Sequence, residues 1–147
     1  MSGFELHPRL AAGSFLVGRT ADCLVLLKDN AAFPWFVIVP EVAEGIEDLH
    51  QLEPDRYGQV LEVARQVSIF VSGYFKPEKL NVACIGNQVR QMHLHVVGRR
   101  VEDAAWPGTV WASAVKEPWD AAAVQRIMEA ARGALDFDSD SDARSER

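Results

Sequence analysis

Cysteine is scarce: the 147 residues hold two, too few for a disulfide framework. Both Cys23 and Cys84 sit in apolar, strand-like runs, the setting of buried free thiols in a reducing compartment. No apolar stretch approaches the ~20 residues that span a bilayer. No charged start precedes a secretory-type apolar run. The expectation is a cytoplasmic protein with no membrane anchor. Positive charge is also short, with 15 Lys and Arg against 21 Asp and Glu. The resulting net charge of −6 argues against a surface for duplex nucleic acid. About half of that excess lies in residues 136–147, an acidic, Ser-rich stretch that reads as a disordered tail. Residues 1–135 are expected to form one domain, since 48% apolar and 24% charged residues overall are ordinary for a globule with a core.

What is present is a sequence of strand and helix patterns. Residues 1–13 read as an arm, in which His7 beside Pro8 is expected to be exposed. Cys23 to Lys28 and Trp35 to Pro40 are β-rich runs joined by a short loop, a hairpin. Both runs are almost continuously apolar, so both sheet faces should be covered. His50 falls in a polar connection and reads as surface. From Pro54 the apolar residues Val60, Ala64, Val67 and Val71 recur at helical spacing until Lys76-Pro77 ends the run. A strand from Lys79 to Ile85, a turn at Gly86 and a strand from Gln91 make a second hairpin. A final helix opens after Pro118-Trp119-Asp120, with Val124, Ile127, Met128, Ala131 and Leu135 on one stripe. The order β-β-α-β-β-α predicts an α+β fold with an antiparallel sheet and two helices.

From Gln91 to Val97 the chain alternates, which puts Gln91, His93 and His95 on one strand face and Met92, Leu94 and Val96 on the other. Same-face neighbours lie ~6.6 Å apart along a strand, within reach of one bridging phosphate. Three readings of His93-Leu94-His95 compete. The histidines are a satisfied polar face; or they are two ligands of a zinc ion that needs a third; or one is a nucleophile and the other its positioning or acid/base partner. Cross-strand partners share a face, so register matters. A five-residue turn, Gly86 to Arg90, would place Asn81 opposite His95 and Ala83 opposite His93, whereas a four-residue turn would send Asn81 to the other face. Gly86 allows a turn whose N–H groups face an anion, with Asn87 and Gln88 as side-chain donors.

The run Gln91-Met92-His93-Leu94-His95-Val96-Val97 resembles the signature of the histidine triad (HIT) family, His-φ-His-φ-His-φ-φ with φ apolar. Asn81 and Gly86-Asn87-Gln88 fall where that family carries an asparagine and a turn, and the resemblance runs from about Leu24 to Trp111. It implies a HIT-like homodimer that acts on nucleotide phosphoramidates, dinucleoside polyphosphates or related esters, without cofactor or metal. His93 would attack the α-phosphorus to form a nucleotidyl-histidine that then hydrolyses, held by a hydrogen bond to backbone near Gln91. His95, Asn81 and the Gly86-Asn87-Gln88 turn would steady the phosphoryl oxygens. Asp29 or Asn30 would meet the ribose.

Two departures stand out. Gln91 replaces the first histidine and can position but not carry charge. Trp35 stands where some members have a further histidine. Trp106 and Trp111 belong to an aromatic loop that would form a lid, a dimer contact or core. The alternatives to an enzyme of this kind are a nucleotide-binding module with little turnover and a zinc-dependent site at His93 and His95.

Overall fold

In the computed structural model, residues 4–139 are described. They form helix α1 (Pro8–Ala12), strands β1 (Ser14–Thr20), β2 (Cys23–Lys28) and β3 (Trp35–Pro40), helix α2 (Pro54–Phe75), strands β4 (Lys79–Ala83) and β5 (Leu94–Arg99), and helix α3 (Ala121–Ala134). All neighbouring strands are antiparallel, in the order β1-β2-β3-β5-β4. The α+β class and both expected hairpins are present. The expected two helices become three, and a strand is added ahead of the first hairpin. The five residues of α1 are too short to show a period. In β1 a bulge between Leu16 and Gly18 shifts the phase of the apolar residues, so alternation is lost there.

The helices cover one sheet face. Val60, Val63, Ala64, Val67, Phe70 and Val71 form a buried stripe on α2, and Val124, Ile127 and Ala131 do the same on α3. Phe36, Ile38, Met92, Leu94 and Val96 meet them from the sheet. Pro54 opens α2 at a position where no intrahelical N–H is needed, and Lys76 ends it in the left-handed conformation at φ 52. No helix among the described residues is long and apolar enough to cross a membrane.

The opposite face carries a second cluster, Leu26, Phe33, Trp35, Val37, Val39, Val97 and Val110. Phe4, Leu6, Leu10 and Trp111 pack on it from the arm, α1 and the segment after β5. Every residue of β3 is buried, as a run apolar on both faces requires. Chain order also continues beyond residue 135. Phe137 lies on Gly18, where an added Cβ would sit 2.6 Å from its ring, and the Asp138 N–H donates to Arg19 O at 2.7 Å. Residues 136–138 therefore belong with β1, while 140–147, the rest of the acidic tail, lie outside the described residues.

Candidate active site

Leu94 and Val96 are drawn into the core under α2, and the period of the strand turns His95 to the other face; His93, just ahead of β5, projects the same way. The two imidazoles are 5% and 7% exposed, with ring centroids 4.8 Å apart and planes at 70°. Each is fixed by a different kind of partner. His93 Nδ1 is 2.7 Å from Gln91 O. A carbonyl oxygen only accepts, so Nδ1 carries the proton and the lone pair is on Nε2. His95 Nδ1 is 3.0 Å from Trp35 Nε1. An indole nitrogen only donates, so here Nδ1 accepts and the proton is on Nε2. One ring offers a lone pair and its neighbour an N–H.

Both rings are held neutral. Burial pushes the His93 imidazole down, opposed by the hydrogen bond to Gln91, with Lys28 and His7 adding smaller repulsions. Burial, then His93 and Lys28, take His95 down to about 3. Lys28 is itself pushed down by burial and by Lys116. Its ammonium lies 5.1 Å from the centre of the Trp35 ring, and among the described residues no carboxylate is within ion-pair range of it.

The histidines open on a cavity of about 350 Å³, a volume within the range of small-molecule sites. Its walls include the Gly86-Asn87-Gln88 turn, Lys28, Arg9 and Trp111. Gly86 has φ +66, which other residues rarely adopt. Arg9 Nη2 donates to Gln88 Oε1 at 3.1 Å and ties the turn to α1. Two cations and no carboxylate line the cavity among the described residues, as an anionic ligand requires.

The structure thus brings together five of the residues singled out in the sequence: His93, His95, Gly86, Asn87 and Gln88. The other four lie elsewhere. The Gln91 side chain accepts from His7 N and donates to Glu5 O, each at 2.8 Å, so it clamps the arm and only its carbonyl serves His93. Asn81 pairs with Val97 rather than His95, and Ala83 with His95 rather than His93. The connection from residue 84 to 93 is longer than a five-residue turn, which moves the register by two and preserves the face. Asn81 Oδ1 consequently accepts from Arg99 at 2.8 Å, outside the cavity. Asp29 Oδ1 accepts from Trp119 N. Buried Asn30 accepts from Ala32 N and Glu117 N and donates to Val115 O. Asp29 and Asn30 anchor the segment before α3.

Arg9, Lys28 and the indole partner role of Trp35 were not evident from the sequence. For Lys28 the signal was there, a lone cation closing an apolar strand. The position of Trp111 has a cause upstream, at the end of β5. Arg99, 2% exposed, pairs with Asp103 through two oxygens at 2.8 and 3.1 Å and lies against the rings of Phe33 and Trp106. That latch folds the segment after β5 back over the sheet, where Trp111 meets His95 edge-on at 5.3 Å. No third His, Cys, Asp or Glu joins His93 and His95 into a possible metal cluster among the described residues.

An antiparallel sheet backed by helices, with two neighbouring histidines on one face above a cation-lined cavity, defines a protein of the histidine triad class. A model of the HIT domain matches residues 9–102. The fold is similar to a histidine triad (HIT) protein from Sinorhizobium meliloti 1021, at 30% identity and TM-score 0.87 over 92% of this chain and 99% of that one. A histidine triad protein from Bradyrhizobium japonicum is 31% identical, with TM-score 0.87 over 91% and 99%. One from Marinobacter aquaeolei VT8 is 33% identical, with TM-score 0.84 over 90% and 96%. This chain belongs to the HIT family, a family generally of nucleotide-binding hydrolases and transferases. No protein of curated function matches it in sequence.

Proposed function

We propose that this protein is a nucleotide hydrolase or nucleotidyltransferase that acts at the α-phosphate through a nucleotidyl intermediate on His93. The observation that carries this reading is the complementary pair of tautomers. His93 offers Nε2 as a lone pair because Gln91 O holds Nδ1–H, and His95 offers Nε2–H because Trp35 occupies Nδ1. A neutral, oriented imidazole is the form that attacks phosphorus. The N–H of His95, the donors of Asn87 and Gln88 and the charges of Lys28 and Arg9 would steady the phosphoryl oxygens as charge redistributes. Substrates in reach are nucleoside phosphoramidates, dinucleoside polyphosphates and related esters.

The same reading includes a homodimer in the cytoplasm. β4 is an edge strand, with Val82 half-exposed on it, and Cys23 and Cys84 are free thiols. The test is a panel of adenosine and guanosine substrates of those classes, with and without chelator. Turnover that ignores chelator and is lost in His93→Ala supports the proposal. Tight nucleotide binding without turnover would make the protein a binding module, and chelator-sensitive turnover would revive the zinc-dependent reading.

A further inference from the structure

Which leaving group the site accepts is decided at His95. Its only ring proton is on Nε2, because Nδ1 faces the Trp35 N–H at 3.0 Å. Trp35 is buried and sits edge-on to Phe33 and Trp111, with ring centroids at 6.3 and 5.9 Å, so the indole is held in place. A second proton on His95 would set two N–H groups against each other. Loss of the first would leave an imidazolate. His95 is therefore a hydrogen-bond donor that neither gives nor gains a proton. The charged and titratable groups around it are His93 beside it, Lys28 from β2 and Arg9 from α1. His93 is committed to attack, and the two cations meet anions.

We infer that Trp35 is a positioning residue that fixes His95 as an Nε2 donor, and that the site takes nucleotides whose leaving group departs as an oxyanion, the phosphoanhydrides, over those whose leaving nitrogen must be protonated. This inference rests on the proposed role of His93. In the first step the Nε2 lone pair of His93 forms a bond to the α-phosphorus while the bond from that phosphorus to the bridging oxygen breaks. The electron pair stays on the departing phosphate oxygen, which takes the His95 hydrogen bond and the charge of Lys28 but no proton. In the second step a water oxygen bonds to phosphorus, the N–P bond breaks with its pair returning to Nε2, and the proton of the water leaves to solvent. A P–N substrate lacks this exit, since an amide anion does not depart, His95 keeps its proton, and among the described residues the remaining charged donors of the cavity, Lys28 and Arg9, are held to the anionic oxygens of the substrate.

Three measurements test the inference on the unaltered protein. Long-range nitrogen–proton NMR of histidine-labelled protein should find His95 neutral and protonated at Nε2 from pH 8 to 5. Single-turnover formation of the adduct from aryl esters of adenosine 5′-phosphate should slow by roughly tenfold for each unit rise in phenol pKa, the signature of departure without an acid. A dinucleoside polyphosphate should outpace adenosine phosphoramidate by about a thousandfold or more. Trp35→His, with a ring able to exchange protons, should flatten the aryl series and raise phosphoramidate turnover by at least about tenfold. Trp35→Phe should introduce a His95 ionisation into the pH–rate profile. A flat aryl series in the unaltered protein, as expected if Lys28 acted as an acid, would overturn the inference, as would His95 protonated at Nδ1. Absence of adduct from every substrate would instead overturn the role of His93 and the selectivity built on it, and the NMR result would still decide the His95 tautomer.

Discussion

The two faces of the sheet share five strands and differ in what orders them. The face under α2 and α3 is held by many interchangeable apolar contacts, among them Phe36, Ile38, Leu94, Val67 and Ile127. The other face lies under the arm, α1 and the segment after β5, and its polar groups each depend on one or two specific partners: Gln91 on Glu5 and His7, His95 on Trp35, Arg99 on Asp103 and Asn81. The histidines face the second side. Hydrophobic burial gives the strand its position, and single directional contacts give the imidazoles their protonation states.

Substitutions on the two sides should therefore fail differently. His93→Ala has the largest expected effect, a loss of roughly ten-thousandfold in turnover, about 5 kcal/mol of barrier, with the melting transition nearly unchanged. Steady-state rates beside thermal unfolding measure both. Asp103→Ala should destabilise by about 3–5 kcal/mol, because it leaves the buried Arg99 guanidinium without its carboxylate. Urea unfolding reads that cost, and activity should fall with it as Trp111 loses its support. Leu94→Ala, on the helix side of the same strand, should cost about 3 kcal/mol through transfer and cavity terms. At temperatures where the variant is folded, it should keep its rate per folded molecule.

Acid sharpens the contrast further, since among the described residues the buried imidazoles and the buried Arg99 all lie away from the helix-covered core. The unfolded chain protonates His95 near its ordinary 6.5, whereas the folded protein holds it neutral to about 3. The unfolded state binds more protons in that window, so stability falls as pH drops below about 6.5, by at most ~1.4 kcal/mol per pH unit. Asp103 adds to the loss at lower pH. Burial raises its pKa, but hydrogen bonds from Arg99 and from the Arg100 and Ala105 N–H groups outweigh that and bring it to about 2 from 3.8, so its contribution is lost below about pH 4. Urea midpoints from pH 7 to 4 measure the slope, and a flat profile would contradict it.

The smallest expected effect is at Gln91. Gln91→Leu removes both hydrogen bonds to the arm, at about 1 kcal/mol, and keeps the carbonyl that holds His93. Amide exchange at residues 5–7 should accelerate while the first-step rate stays within about tenfold. A large rate loss would mean that the side chain itself acts in the chemistry.

The same contrast explains how much could be read in advance. The alternation through Met92, Leu94 and Val96, the α2 stripe and the α3 stripe are local periods, and the fold class and the facing of both histidines follow from them. Gly86-Asn87-Gln88 was legible because a turn beside a strand is a local feature too. Register was not, since it depends on how residues 84–93 run between β4 and β5, and it carried Asn81 away from the cavity to Arg99. Asp29 and Asn30 lie close to the site in sequence, but their hydrogen bonds go to residues 115–119. Gln91 looked like a site residue by pattern, yet its side chain faces the arm. The pairing of Trp35 with His95 joins strands that are 60 residues apart, a contact that no local pattern encodes.

The central claim is that His93 is the nucleophile because its Nε2 alone of the pair carries the lone pair. Rapid quenching of the protein with a turning-over nucleotide, followed by peptide mass spectrometry, tests it directly. The account predicts one nucleotidyl group, acid-labile and stable to alkali as a P–N bond is, on the peptide containing His93 and absent from His93→Ala. An adduct on His95, or product accumulating with His93 unmodified at every quench time, would contradict it.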